Sequence, residues 1–431
     1  MSAAVSPASA AHRQWLDAEL RRLLDFGRHV VHPLGGAAYL REDGTPDLER
    51  PLHTWITARM VHVYGLGAML GEPGAREIAE GALRGLTGPL RDEQHGGWFT
   101  AVDAGGRVVG DGAKSCYDHA FVLLAASTAA LAGLPGAREL LADARGTFVS
   151  RFWDDRDGMC GDTWDRTWST LDAYRGTNAN MHAVEAMLAT ADVDGDEEWL
   201  VRASRIASRL VAVAEERAWR IPEHYTADWR PDLDYNHERP RDQFKPYGAT
   251  VGHGLEWSRL LLQLEAATQP STAESLDLLS AAESLFDRAV TDGWAVDGAD
   301  GFVYTTDWEG QPIVSERMHW VVAEAIAAAA ALGQRTDRPG YADWYDRCWD
   351  YARRYLIDHE CGSWRHELDP QNRPAAATWP GKPDLYHAVQ ATLLPRLPLA
   401  PGLARAVHDG APASDSSRRR AEVPRPRRTD A

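Results

Sequence analysis

The chain has 431 residues, 44% hydrophobic and 25% charged, which is ample for a buried core and typical of an ordinary soluble globular protein. Its formal net charge of −17 and pI near 5.4 disfavour nucleic acid and anionic membrane as partners. No apolar run approaches the roughly 18 residues of a membrane span, and the first fifteen residues lack the apolar core of a secretion signal.

In chain order, residues 1–14 read as a flexible N-terminus and 15–398 as one helical domain. Residues 399–431, rich in Pro, Ala, Ser and Arg, read as a disordered tail. Within the domain, six strongly apolar helices begin near "WITARMVHVYGLGAML", "CYDHAFVLLAASTAAL", "TNANMHAVEAMLAT", "GHGLEWSRLLLQL", "MHWVVAEAIAAAAAL" and "PDLYHAVQATLLP". Amphipathic helices such as "REIAEGALRGL", "GARELLADARGTFV" and "LDLLSAAESLFDRAV" lie between them. The connections "GGWFTAVDAGGR", "DGMCGDTWDRTW", "DGFVYTTDWEGQP" and "CGSWRHELDPQNRP" rhyme, each reading as a short β-hairpin. Four well-separated cysteines, Cys116, Cys160, Cys348 and Cys361, form no CxxC pair and read as free thiols in a reducing cytosol.

Each apolar helix carries one polar residue near its start: Arg59, His119, His182, His253, His319 and His387. The spacings are 60, 63, 71, 66 and 68 residues. That period fits two helices and two connections, the signature of a repeat. Six helical hairpins closed in a ring make an all-α (α/α)6 toroid, with the apolar helices inside and their starts facing one funnel. An open solenoid is the alternative, but it does not require a histidine in this register.

A single histidine at a helix start is most often a surface residue or a satisfied core imidazole, whereas five in register call for a shared cavity. There Glu256, Asn178 and Arg59 add a carboxylate, an amide and a fixed cation. The pairs His182/Glu185 and His253/Glu256 stand three residues apart and share a helix face, so each glutamate is placed to orient its own imidazole. Gly252 and Gly254 free the backbone around the second pair. Trp55, Trp257 and Trp320 lie on inner helices near the mouth, with Trp98 and Trp379 in connections, and offer flat faces for a sugar to stack on. Metal is the competing use of such a set, but there is no HExxH motif and no aspartate cluster. Glycoside hydrolysis needs two facing carboxylates. The set suits proton transfer beside a carbonyl, where imidazole alternates between acid and base and donors meet the developing oxyanion.

The motifs "TNANMHAVEA", "YGATVGHGLEWSRL", "ERMHWVVAEAI" and "GKPDLYHAVQATLLP" resemble those of the N-acylglucosamine 2-epimerase superfamily, and most closely its aldose–ketose isomerase branch. The resemblance covers about residues 15–398. It implies an (α/α)6 barrel and metal-independent isomerisation through a cis-enediol, with no cofactor and a monosaccharide substrate, mannose to fructose being the expected pair and lyxose a further one. It casts His387 as the base moving hydrogen between C2 and C1, and His253 as the partner acid/base with Glu256 beside it. Asn178, His182 and Arg59 would hold hydroxyls and the carbonyl oxygen, with Trp55, His319 and Trp320 completing the sugar site. Sugar 2-epimerisation and isomerisation of a sulfonated sugar, using Arg175 or Arg241, are the alternatives within the family. A binding protein without turnover is the alternative outside enzyme chemistry. A cytoplasmic monomer or homodimer is expected.

Overall fold

The computed structural model describes residues 9–268 and 277–411. Among these, six inner helices follow one another around a ring: α2 (Thr54–Met69), α4 (Cys116–Leu131), α6 (Thr177–Asp194), α8 (Val251–Ala267), α10 (His319–Thr336) and α12 (Tyr386–Leu393). The outer partners of the first five are α3 (Ala75–Thr87), α5 (Ala137–Thr147), α7 (Glu198–Glu215), α9 (Leu278–Gly293) and α11 (Pro339–Tyr351).

Burial explains which helix goes where. In α4 every residue from Asp118 to Ala130 is buried, so it has no polar face to turn to water. Its alanines, and Gly65 of α2 facing Thr128, let neighbouring backbones approach closely. By contrast α3 buries Ala75, Ala79, Ala82, Leu83 and Leu86 while Arg76, Glu77 and Arg84 face outward.

The ring closes where α12 packs against α2 as well as α10. The outer partner of α12 is the first helix, α1 (Ala10–Phe26), so the sixth hairpin is made from the two ends of the domain. Trp364 donates to Glu19 at 2.8 Å and Arg396 pairs with Asp17 at 2.5 Å, fastening α1 in place. This extends the domain beyond its expected limits of 15 and 398. Ser9 accepts the His12 N–H and α1 begins at Ala10, so residues 10–14 are helical. At the other end, residues 399–411 include a short helix, α13 (Leu403–His408), which buries Ala404, Ala406 and Val407. It packs against α2, α4 and α6 at the end of the ring opposite the inner helix starts, and so holds the segment expected to be disordered. The remainder of both expected flexible ends, 1–8 and 412–431, lies outside the described residues.

Hairpin turns occur in the connections as expected, marked by the bridges Val102↔Val108, Trp164↔Leu171 and Ile357↔Trp364. Further two-residue antiparallel ladders stitch neighbouring connections together. The residues before α2, α4, α6, α8 and α10 pair with 101–102, 163–164, 224–225, 305–306 and 367–368. The first N–H of each of these helices then donates to the next connection, to the carbonyls of Thr100, Asp162, Glu223, Tyr304 and His366 at 2.7–3.1 Å. One hydrogen bond, repeated five times, thus fixes both the start of a helix and a residue of the following connection.

Gly248 shows how tightly this is drawn. Its φ is +92°, and an added Cβ would lie 2.2 Å from the Thr306 carbonyl oxygen. Gly248→Ala should therefore cost about 1–3 kcal/mol in a urea melt, whereas Gly254→Ala, whose methyl meets Ala289 at 3.4 Å inside α8, should be neutral or stabilising. Equal effects of the two substitutions would contradict this account of the ladder.

Candidate active site

The starts of the inner helices enclose a cavity of about 660 Å³, measured out to its mouth. Trp55 and Arg59 reach it from α2, Asn178 and His182 from α6, and His253 and Glu256 from α8. His319 and Trp320 come from α10 and His387 from α12. All nine residues expected at the site line this one space. His119, which completes the sequence register, does not. Its Nδ1 is 2.7 Å from the Ser115 carbonyl and its Nε2 accepts the Trp98 N–H at 3.1 Å. Burial pushes it down to about 3, so it is a neutral, satisfied core imidazole. Trp98 and Trp257 are likewise core residues, fully buried away from the cavity. Arg241 pairs with Glu316 and Arg175 bonds to backbone carbonyls, and neither lines the cavity.

Two imidazoles stand out because each is held at Nδ1 by a buried carboxylate. His387 Nδ1 lies 3.0 Å from Glu324 Oε1, and Glu324 Oε2 accepts from Arg259 Nε at 3.0 Å. Burial opposes the charge on Glu324, but Arg259 and the bond to His387 hold its carboxyl below the usual range. An ionised carboxylate only accepts, so His387 carries its hydrogen on Nδ1 and keeps a bare Nε2. His253 repeats the arrangement, its Nδ1 2.7 Å from Glu223 Oε1. The Trp320 ring lies beside both, with centroids 5.2 Å from His253 and 5.7 Å from His387. Gly252 makes room for it, since a Cβ there would come within 2.3 Å of that ring. The two glycines sit inside α8 rather than loosening its entrance, and Gly252 is needed for this close approach.

The expected pairing of Glu256 with His253 is therefore corrected. Glu223, from the connection before α8, takes that position. Glu256 points to the other side, 3.8 Å from His182 Nδ1 and 3.6 Å from Arg259. Burial, with Glu324 and Glu185 nearby, pushes its carboxyl well above the usual range. The His182–Glu185 pair forms as expected, at 3.4 Å, and burial pushes His182 down to about 4. Glu223 escaped notice because connections carry no periodicity. Glu324 and Arg259 had a signal: ionic residues set among the apolar positions of inner helices must be paired.

The remaining wall is suited to a small polar molecule with apolar edges. Arg59 donates to Asp384 at 3.2 Å and to the Tyr117 oxygen at 3.0 Å. Burial works against its charge, but Tyr117 and Asp384 more than offset this, holding it above the ordinary guanidinium value. Its Nε, the Asn178 Oδ1 and one Glu256 oxygen are buried with no hydrogen-bond partner among the described residues. His319 stacks on His366 with centroids 3.8 Å apart. Over the mouth, Phe244 meets the edges of Trp55 and Trp379, and Gln243 donates to the Thr378 carbonyl at 3.0 Å. These two connections frame the mouth.

His182, Glu185 and Glu256 place donor atoms within 4.8 Å of one another, the spacing of a metal site. Glu185 already accepts from the Tyr386 hydroxyl and the Gln390 amide. The Arg259 guanidinium stands 3.6–3.8 Å from the glutamate oxygens, where it would repel a divalent cation.

The family model for N-acylglucosamine 2-epimerase (GlcNAc 2-epimerase) matches residues 35–391. The chain is 53% identical over 402 residues to a D-mannose isomerase of Thermobifida fusca, covering 93% of this chain and 98% of that protein. It is 46% identical to a D-mannose isomerase of Pseudomonas cannabina pv. alisalensis, covering 93% and 96%. A crystal structure of D-mannose isomerase matches the fold with a TM-score of 0.81 at 28% identity, covering 88% of this chain and 96% of that one.

The balance around His387 can be measured by an NMR titration of histidine-labelled protein. Burial lowers its affinity for a proton and Glu324 raises it, burial prevailing. His387 should titrate below the ordinary imidazole value of about 6.5, and Glu324→Gln should lower it further. A rise in the variant would contradict the sign of the interaction.

Proposed function

The chain belongs to the N-acylglucosamine 2-epimerase family, and from that premise we propose that it isomerises D-mannose to D-fructose by proton transfer through a cis-enediol. The reading is carried by two imidazoles, each with Nδ1 held by a carboxylate and Nε2 left bare, beside one cavity. The names of its full-length relatives supply the sugar.

In this reading Nε2 of His387 takes the proton from C2 of the open-chain aldose, and the freed electron pair forms the C1–C2 double bond. The imidazolium that results is stabilised by ionised Glu324. His253, whose bare Nε2 accepts first, takes the hydroxyl proton from O2 and passes it to O1, so that the carbonyl reforms at O2. His387 returns its proton to C1 on the same face. Glu256, whose buried carboxyl keeps its proton, serves as a hydrogen-bond donor to the sugar. Arg59 Nε and Asn178 Oδ1, both unpartnered, take the oxyanion and a hydroxyl respectively. Trp55, Trp320 and His319 present the faces on which the carbon skeleton rests.

A sulfonated substrate fits less well. Among the described residues Arg59 is the one arginine on the cavity wall, and Asp384 already pairs with it. A non-catalytic binding role gives no reason for carboxylates behind two separate imidazoles. Cys116, Cys160, Cys348 and Cys361 are all unbridged, in keeping with a reducing cytoplasm. No described helix is long and apolar enough to cross a membrane. The cavity is built from one chain, so a monomer or a homodimer would serve.

Purified protein incubated with a panel of aldoses and 2-ketoses should convert mannose to fructose, with turnover unchanged by exhaustive chelation. His387→Asn should reduce kcat by about 10²–10⁴-fold while sugar binding persists. Glucose formed from mannose without ketose would assign 2-epimerisation instead. A full loss of turnover with EDTA, restored by a divalent cation, would remove the proton-transfer mechanism.

A further inference from the structure

Beneath the cavity floor lies one arginine that the reaction scheme does not use. Arg259 is 2% exposed and is absent from the walls of the sugar cavity, although it reaches a second cavity beneath α13. Its Nε donates to Glu324 and its Nη1 to Gln263 at 3.0 Å each. Its Nη2 stands 3.6 Å from Glu256 and 3.8 Å from Glu185, with no closer partner among the described residues. Three buried carboxylates, each beside an active-site imidazole, thus share one cation.

We propose that Arg259 is a positioning residue for the proton transfer, acting on His387 through Glu324. The inference rests on the proposed isomerisation, with His387 as base. A guanidinium at Oε2 fixes the Glu324 carboxylate so that Oε1 faces His387 Nδ1. It also supplies the charge that keeps a carboxylate ionised in this buried place. An ionised Glu324 accepts the Nδ1–H and leaves Nε2 bare. A protonated Glu324 would donate to Nδ1 instead, the ring hydrogen would sit on Nε2, and the neutral imidazole could not accept the C2 proton.

Other charged groups near His387 do not take this part. From α10, His319 stacks on His366, and both rings are kept neutral by burial. From α2, Arg59 is committed to Asp384, which also accepts the Tyr386 N–H at the start of α12. From α6, Glu185 is bonded to Tyr386 and Gln390 of α12 and pairs with His182. From α8, Glu256 and His253 face the cavity. On α1, Glu19 bonds Arg22 and Trp364, and Asp17 bonds Arg396. Arg259 is the cation in hydrogen-bond contact with the carboxylate behind the base.

The test is Arg259→Met in the full chain, read in two ways. In histidine-labelled protein without sugar, ¹⁵N shifts should report hydrogen on Nδ1 of His387 in the wild type and on Nε2 in the variant. In the mannose assay kcat near neutral pH should fall about 10²-fold or more, with KM changed much less. Activity needs Glu324 ionised and is lost as pH falls through its pKa, so removing the cation should move the acid limb upward past neutral pH, as burial does to a carboxyl with no cation beside it. Arg259→Lys keeps a charge but not the planar fork, and should move both readouts less, in the same direction. It carries the test if the methionine variant does not fold. A folded variant with the wild-type tautomer and an unmoved acid limb overturns the proposal, as does an equal loss of kcat at every pH. A wild-type protein inert toward mannose would remove the proposed function, while the tautomer readout would still decide what Arg259 does to His387.

Discussion

The contact between α12 and α2 turns a row of helical hairpins into a ring, and the site depends on it. Without closure, His387 at the start of α12 and Arg59 on α2 would stand at opposite ends of a solenoid. With it, Asp384 bonds both the Tyr386 N–H and Arg59, so one carboxylate anchors the first turn of the last inner helix and the only arginine described on the cavity wall. The chain's first helix completes the last hairpin, which makes closure a property of the whole domain. The five repeated hydrogen bonds from inner-helix N–H groups to the next connection then set the depth at which each repeat presents its side chain.

Within the ring, low polarity gives the charges their effect. His387 and His253 are buried rings whose bare nitrogens are chosen by carboxylates behind them. An imidazole in water samples both neutral tautomers; here a carboxylate at Nδ1 selects one. The cost is a layer of buried carboxylates with few cations, and Arg259 lies at its centre. Glu324 held below the usual carboxyl range and Glu256 pushed above it are two outcomes of one crowded set of charges, in which Arg259 hydrogen-bonds Glu324 but stands 3.6 Å from Glu256.

Much of this was legible in the sequence, because a closed ring converts periodicity into proximity. Polar residues at helix starts some 60–70 positions apart had to converge if the ring closed, and His182, His253, His319 and His387 do. His119 obeys the same register but turns to the Ser115 carbonyl and the Trp98 N–H, a choice made by local partners that spacing cannot show. The HxxE spacing placed Glu256 on the face of His253, yet shared face is not contact. A carboxylate from a different connection, Glu223, reaches Nδ1 first. Glu223 and His366 occupy the same repeat position, each offering its carbonyl to the first N–H of an inner helix. That equivalence becomes visible only once the ladders between neighbouring connections are known. The domain limits were read too narrowly because short amphipathic ends such as α13 gain their order from the ring they cover.

The central claim is that one imidazole carries hydrogen between adjacent carbons on one face of the sugar. Conversion of mannose in D₂O, followed by NMR of the fructose C1 hydrogens, examines it most directly. His387 would hold the proton briefly as an exchangeable N–H, so deuterium should enter C1 at a single prochiral position and reach only part of the product molecules. Deuterium divided between both prochiral positions would contradict a single base on one face of the enediol.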